Sequence, residues 1–194
     1  LDNYPTPPWC TDALLEWVMP NVCPELRGPI LDPCAGEGGI LSPFDEWGIK
    51  TAAVEIREEC HEILQAITGK NSVIGNFLEM HRDRVELMGA RSVVMNPPFS
   101  LAKEFVEFCI LLGLHDYVVS LLRLPFLATE GRYDWWQSYA PSDVCVMSSR
   151  PSFLGKGSDS TEYAWFVWDL REGLPVWPSR LHIIPTKKHF LRGS

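Results

Sequence analysis

Apolar runs of strand length recur along the chain: GPIL at 28–31, TAAVEI at 51–56, NSVIG at 71–75, SVVM at 92–95, YVVSLL at 117–122, DVCVMS at 143–148 and YAWFVW at 163–168. The first four are apolar throughout rather than alternating, the pattern of strands covered on both faces. Between them, helical periodicity and end signals predict helices over Thr11–Met19, Glu58–Ile67 and Ala102–Leu112, with a short one at Trp135–Tyr139. Buried parallel strands joined by crossover helices are therefore expected. The last three runs lie closer together, and the turn-rich stretch RPSFLGKGSDSTE at 150–162 reads as a loop joining antiparallel strands near one edge. LHII at 181–184 is a candidate for one further strand.

With 194 residues and 46% hydrophobic composition, the chain suits one α/β domain over 1–194, without a separate recognition domain. Its longest mostly apolar region, from Val106 to Leu114, ends at His115 and Asp116. That falls short of the roughly 20 apolar residues of a membrane helix. LDNYPTPPW at the start lacks the charged-then-apolar order of a signal peptide. Six scattered cysteines without a CxxC pair suggest neither a disulfide scaffold nor a structural metal, and fit a reducing, intracellular compartment. The net charge of −8 argues against unspecific adhesion to nucleic acid, but it is unevenly spread. From Arg171 onward five basic residues face one acid, so a basic tail of +4 follows a body of −12.

Candidate chemistry collects where strands end. LDPCAGEGG at 31–39 follows the first run, and Gly36 and Gly38 allow a tight turn whose backbone can approach a ligand closely. Asp32 and Glu37 crowd this turn with carboxylates, which favours a ligand bearing a cation over a bare pyrophosphate. A strand-to-helix turn without a ligand is the alternative. Glu55, near the end of the second run, is placed to accept two ribose hydroxyls. Asn76 and Phe77 close the third run, where a polar reader and an aromatic plate suit adenine; Phe77 is equally suited to the core. Together these ends describe a nucleoside pocket at the carboxyl edge of a parallel sheet.

The fourth run leaves through Asn96-Pro97-Pro98-Phe99. Two prolines fix the backbone and remove two N–H donors, leaving carbonyls as unopposed acceptors. The Asn96 side-chain oxygen and the Pro97 carbonyl are then candidates to converge on one planar exocyclic amine, with Phe99 as the stacking face. Two acceptors on the amine hydrogens would favour pyramidalisation and stabilise the charge that develops on alkyl transfer. A turn serving packing alone is the competing explanation.

These segments resemble the class I methyltransferases that use S-adenosyl-L-methionine, specifically the amino-methyltransferases whose catalytic motif reads Asn or Asp, Pro, Pro, Tyr or Phe. The resemblance covers residues 5–125 in round terms. It implies a Rossmann-like α/β fold with a seven-stranded, mostly parallel sheet and an antiparallel edge strand. It implies that Asp32, Pro33, Cys34, Gly36 and Gly38 enclose the methionine part of the cofactor, that Glu55 takes the ribose and that adenine faces Asn76 or Phe77. TPPW at 6–9 is similar to a leading segment of the family that touches the methionine end, with Thr6, Pro7 and Pro8 as the matching residues. The order of TPP segment, glycine motif and NPPF resembles DNA N6-adenine methyltransferases, and the compact size resembles phage or prophage enzymes. A cytoplasmic location in a bacterial or phage-infected cell would follow. No metal is implied, because a sulfonium is already a good leaving group.

Only about 70 residues follow the fifth run, so sequence selectivity is expected to be weak or confined to loops. Arg150, Lys156 and Arg180 are candidates for phosphate contacts, with ordinary surface charge as the alternative. Trp135 is a candidate wedge during base extrusion, whereas Trp165 and Trp168 read as core. The implied reaction is methylation of adenine N6 in DNA. An amine of adenine or guanine in RNA, a protein glutamine, and a non-catalytic binding module of the same fold remain alternatives. No membrane partner is implied.

Overall fold

The computed structural model describes residues 5–113, 116–152 and 161–185. Strands β1 (Ile30–Asp32), β2 (Thr51–Glu55), β3 (Ser72–Ile74), β4 (Ser92–Met95), β5 (Tyr117–Arg123), β6 (Asp143–Met147), β7 (Tyr163–Asp169) and β8 (Arg180–Ile184) form one sheet in the order β3-β2-β1-β4-β5-β7-β6-β8. Only β7 runs against the rest, antiparallel to both β5 and β6, while β8 pairs with β6 in parallel. The sheet therefore has eight strands rather than seven, because the LHII run is a full member. The antiparallel strand expected near the edge is β7, with β6 and β8 lying outside it.

Successive strand residues feed two separate cores. Ile30, Ala53, Val94, Val119 and Trp165 lie in one, and Leu31, Val54, Val93, Val118 and Phe166 in the other. Two covered faces explain why these runs are apolar without alternation. The first face is closed by α1 (Pro8–Ala13), which continues through a π-helical stretch Leu14–Val18 and a turn Met19–Asn21, together with α2 (Leu41–Glu46) and α3 (His61–Thr68). The second is closed by α4 (Arg82–Glu86), α5 (Ala102–Leu112) and α6 (Tyr133–Ser138). Trp165 and Trp168, both fully buried, carry the packing expected of them. Each also satisfies its indole N–H, on the Cys10 and Tyr139 carbonyls at 3.0 and 2.9 Å.

The α5 boundaries agree with the sequence expectation, and α1 starts earlier than expected. Pro8 occupies its first turn, where a missing N–H leaves no bond unmade. Sequence periodicity gave no sign of α2, whose Pro43 sits in the first turn, or of α4, which spans five residues. No helix among the described residues is long and apolar enough to cross a membrane. Their cysteines are all free, and no cluster of potential metal ligands occurs among them.

Candidate active site

Because seven strands share one direction, the carboxyl ends of β1 to β4 open on the same edge. A cavity of about 560 Å³ lies there, lined by residues from all four ends and by Pro5 and Thr6 of the leading segment. Such a volume suits a nucleoside-sized ligand. Ile56, Ile63 and Leu101 on its wall are each more than 40% exposed, apolar surface of the kind a ligand covers.

Asp32 ends β1 only 2% exposed, and its Oδ1 accepts from the Cys34 N–H at 3.1 Å and faces the Cys34 thiol at 3.5 Å. Burial pushes its pKa up to about 7, the Cys34 hydrogen bonds opposing and the Glu55 charge adding to the rise. Burial also raises Cys34, with Asp32 beside it, so it stands as a thiol rather than a ready nucleophile. Glu55 at the end of β2 accepts the Gly36 N–H at 2.6 Å through Oε2, and the Arg57 N–H and Nε at 3.0 and 3.1 Å through Oε1. It thus bolts the glycine turn to the second strand. Gly36 and Gly38 have φ of +55° and +84°, in the left-handed region.

Gly38 does not line the cavity. A side chain there would meet the Ile67 Cδ1 at 2.4 Å, so its role is to let the turn approach α3. Glu37, Gly39 and Ile40 line the cavity instead. Pro7 and Pro8 are likewise absent from the wall and start α1. Thr6 is the member of that segment that reaches the cavity, and Gly39 leaves it room: a Cβ at 39 would lie 3.0 Å from the Thr6 carbonyl oxygen.

Asn96 leaves β4 on the opposite wall. Its Nδ2 donates to Thr6 Oγ1 at 3.1 Å, while its buried Oδ1 has no hydrogen-bond partner among the described residues. A buried acceptor left unmade is costly, which marks this oxygen as waiting for a donor. Pro97, Pro98 and Phe99 line the same wall, and Pro98 caps the turn Phe99–Leu101 that leads into α5. The Arg123 guanidinium lies over the Phe99 ring, 3.8 Å from its centroid.

At the β3 end, Asn76 and Phe77 both reach the cavity. The Asn76 amide caps a short turn by accepting the Leu78 N–H at 3.2 Å and donates to Glu79 at 2.8 Å. Phe77 is 2% exposed and packs on Phe105 and Phe108, so most of it belongs to the core. Ile56, Arg57 and Phe105 were missed from sequence. Ile56 and Arg57 follow directly on Glu55, and that adjacency is the signal that would have found them.

Of the substrate-side candidates, Trp135, Arg150 and Arg180 are described, and none of them lines the cavity. Trp135 is 6% exposed and packs against Phe126, Trp136 and Tyr139, so it presents no free face to a base. Arg180 begins β8, at the amino edge of the sheet, and its Nε and Nη2 each lie 2.8 Å from the buried Asp143 carboxylate. Arg150 is exposed but paired with Glu162, its Nε at 2.9 Å from Oε1. Lys156 and the basic positions 187, 188 and 192 lie outside the described residues.

No family model matches the sequence, and neither does any curated protein. Solved structures do. The chain aligns over 86% of its length with 86% of a provisionally assigned RNA methyltransferase from Pyrococcus horikoshii, at 18% identity and a TM-score of 0.66. The fold is the Rossmann-like class I methyltransferase fold. An RNA methyltransferase from Salinibacter ruber, in complex with S-adenosyl-L-homocysteine, matches 88% of the chain over 96% of its own at 16% identity and a TM-score of 0.55. A Spodoptera frugiperda DNMT2 mutant matches 80% of the chain over 54% of its own, at 17% identity and a TM-score of 0.55. In this chain the β4 exit and the glycine turn both line the cavity at the carboxyl edge of the sheet.

Proposed function

We propose that the protein is an S-adenosyl-L-methionine-dependent methyltransferase acting on an exocyclic amine of a nucleic-acid base, with adenine N6 in DNA as the first substrate. The observation that carries this reading is the orphaned Asn96 Oδ1, fixed by Thr6 on a cavity whose other wall holds two buried carboxylates.

The residues present fit the cofactor. Asp32 gives a carboxylate at the glycine turn for a cationic methionine end, and Glu55 retains acceptor lone pairs for a ribose. Ile56, Leu78 and Phe77 offer apolar surface for adenine. The cofactor supplies an electrophilic methyl group on a sulfonium, which leaves as a neutral thioether. The chain's own task is the amine. Asn96 Oδ1, assisted by the Pro97 carbonyl, accepts its hydrogens and draws the nitrogen lone pair out of the ring plane, while Phe99 holds the base. No side chain near Asn96 is required as a strong base, because the amine nitrogen sheds its proton to solvent after the new N–C bond has formed.

RNA is the second reading, favoured by the RNA methyltransferases among the similar structures. Incubation with tritiated S-adenosyl-L-methionine and separate pools of unmethylated DNA, RNA and protein, followed by digestion and mass spectrometry, tests both. N6-methyladenine in DNA is the expected product. Label in RNA alone moves the substrate to RNA. Cofactor binding with no label in any pool replaces the enzyme by a binding module.

A further inference from the structure

Register places Arg123, the last residue of β5, directly opposite Tyr163, the first of β7. Cross-strand partners share a sheet face, and Arg123 Nε donates to the Tyr163 hydroxyl at 3.0 Å. The same guanidinium stacks on Phe99, so ring and hydroxyl hold it in one place. It is half-buried, and no carboxylate among the described residues forms an ion pair with it. Glu162, next along the chain from Tyr163, spends its carboxylate on Arg150. The Nη1 and Nη2 groups have no hydrogen-bond partner among the described residues. A fixed cation with unspent donors, beside the ring on which a base is expected to stack, matches a phosphodiester oxygen in charge and geometry.

We infer that Arg123 is a phosphate-anchoring residue that makes a nucleic-acid strand the substrate of the Asn96 site, a step that rests on the methyl-transfer reading above. The acidic net charge gives a polyanion little general attraction, so a local cation at the site decides where the strand sits. Held on the Phe99 ring and the Tyr163 hydroxyl, Arg123 fixes the phosphate beside the Asn96 site.

Equilibrium binding of fluorescein-labelled 20-mers, as single-stranded and duplex DNA and as RNA, is measured across a salt series with methyl transfer followed in parallel. Arg123→Gln is expected to weaken binding about tenfold at low salt. The slope of log affinity against log salt should fall by about 0.9 on duplex or 0.7 on single strands, one phosphate's worth. Arg123→Lys should keep most of that slope, and Arg150→Gln should leave it unchanged. Which oligonucleotide shows the change separates DNA from RNA. An unaltered slope in Arg123→Gln, or no binding of any oligonucleotide by the unmodified protein, overturns the assignment. Strand binding with the expected slopes but no methyl transfer overturns the methyl-transfer reading alone.

Discussion

At the scale of single residues, the proposed function assigns Asn96 to the amine and Asp32 and Glu55 to the cofactor. Asn96→Ala removes the orphaned acceptor that lines the cavity without touching Asp32 or Glu55. Turnover is expected to fall about 10²–10³-fold, the cost of losing one preorganised hydrogen-bonding group. Cofactor affinity, measured by isothermal titration, should stay within about twofold; a matching loss of affinity and rate would remove Asn96 from the catalytic role. Asp32 makes a different prediction. Its pKa of about 7 means that the folded protein keeps a proton which the unfolded chain has released between the ordinary carboxylate value of 3.8 and about 7. Stability contributed by this group is therefore greatest below that window and is lost as pH rises through it. A cationic ligand favours the ionised form, so affinity for S-adenosyl-L-methionine should climb by up to tenfold per pH unit below about 7 and level off above it. Asp32→Asn should bind more weakly with a flat pH profile, and at pH 8 its ligand-free form should melt higher than the parent. A parent profile already flat from pH 5.5 to 8 would show that Asp32 does not face the ligand charge.

Elements bring these residues together, and the leading segment is the least obvious of them. It crosses from the glycine turn to the β4 exit, its backbone against Gly39 and its Thr6 hydroxyl on the Asn96 amide. Gly39→Ala puts a methyl 3.0 Å from the Thr6 carbonyl oxygen, a backbone atom that moves only if the segment lifts. Turnover should fall about tenfold with a small change in melting temperature, and Thr6→Val should reproduce the loss by removing the hydroxyl alone. Gly38→Ala should behave oppositely. Its left-handed conformation costs about 1–3 kcal/mol with a side chain, lowering the melting temperature by about 2–4 °C per kcal/mol. A rate loss in Gly38→Ala larger than in Gly39→Ala would contradict the crossing described. Much of this architecture was legible because strand ends in a parallel sheet share an edge: Asp32, Glu55, Asn76 and Asn96 each close a run visible in the sequence. The Thr6–Asn96 bond spans 90 positions, and no local pattern encodes it. The eighth strand was half-legible for a related reason, since LHII exposes Leu181 and Ile183 and so lacks the uniformly apolar look of an interior strand.

Across the whole molecule, the described basic residues are divided between the two edges of the sheet, and the proposed function places substrate at the carboxyl edge alone. The carboxyl edge holds the cavity and Arg123. The amino edge at β6 and β8 holds Asp143, buried to 1% of its surface, with Arg180 and His182 on its oxygens and Trp17 against the His182 ring at 5.6 Å. That cluster pins the outermost strand and the leading helix to each other. Removing Arg180 leaves a buried carboxylate short of a partner, whereas neutralising Asp143 frees a guanidinium that solvent already reaches over 67% of its side chain. Arg180→Ala should therefore cost about 2 kcal/mol, a figure discounted for that exposure, and Asp143→Asn about 1 kcal/mol. The order is opposite to what exposure alone would suggest. Arg171 is also committed, to Glu25 and Asp169, so neither of the two basic residues described after position 170 is free for a polyanion. Thermal unfolding of both variants checks the ranking, with cofactor affinity and the salt slope of strand binding as the readouts that should not move. A normal melting temperature with a reduced salt slope in Arg180→Ala would return that residue to the substrate surface and extend the strand's path around the β8 edge.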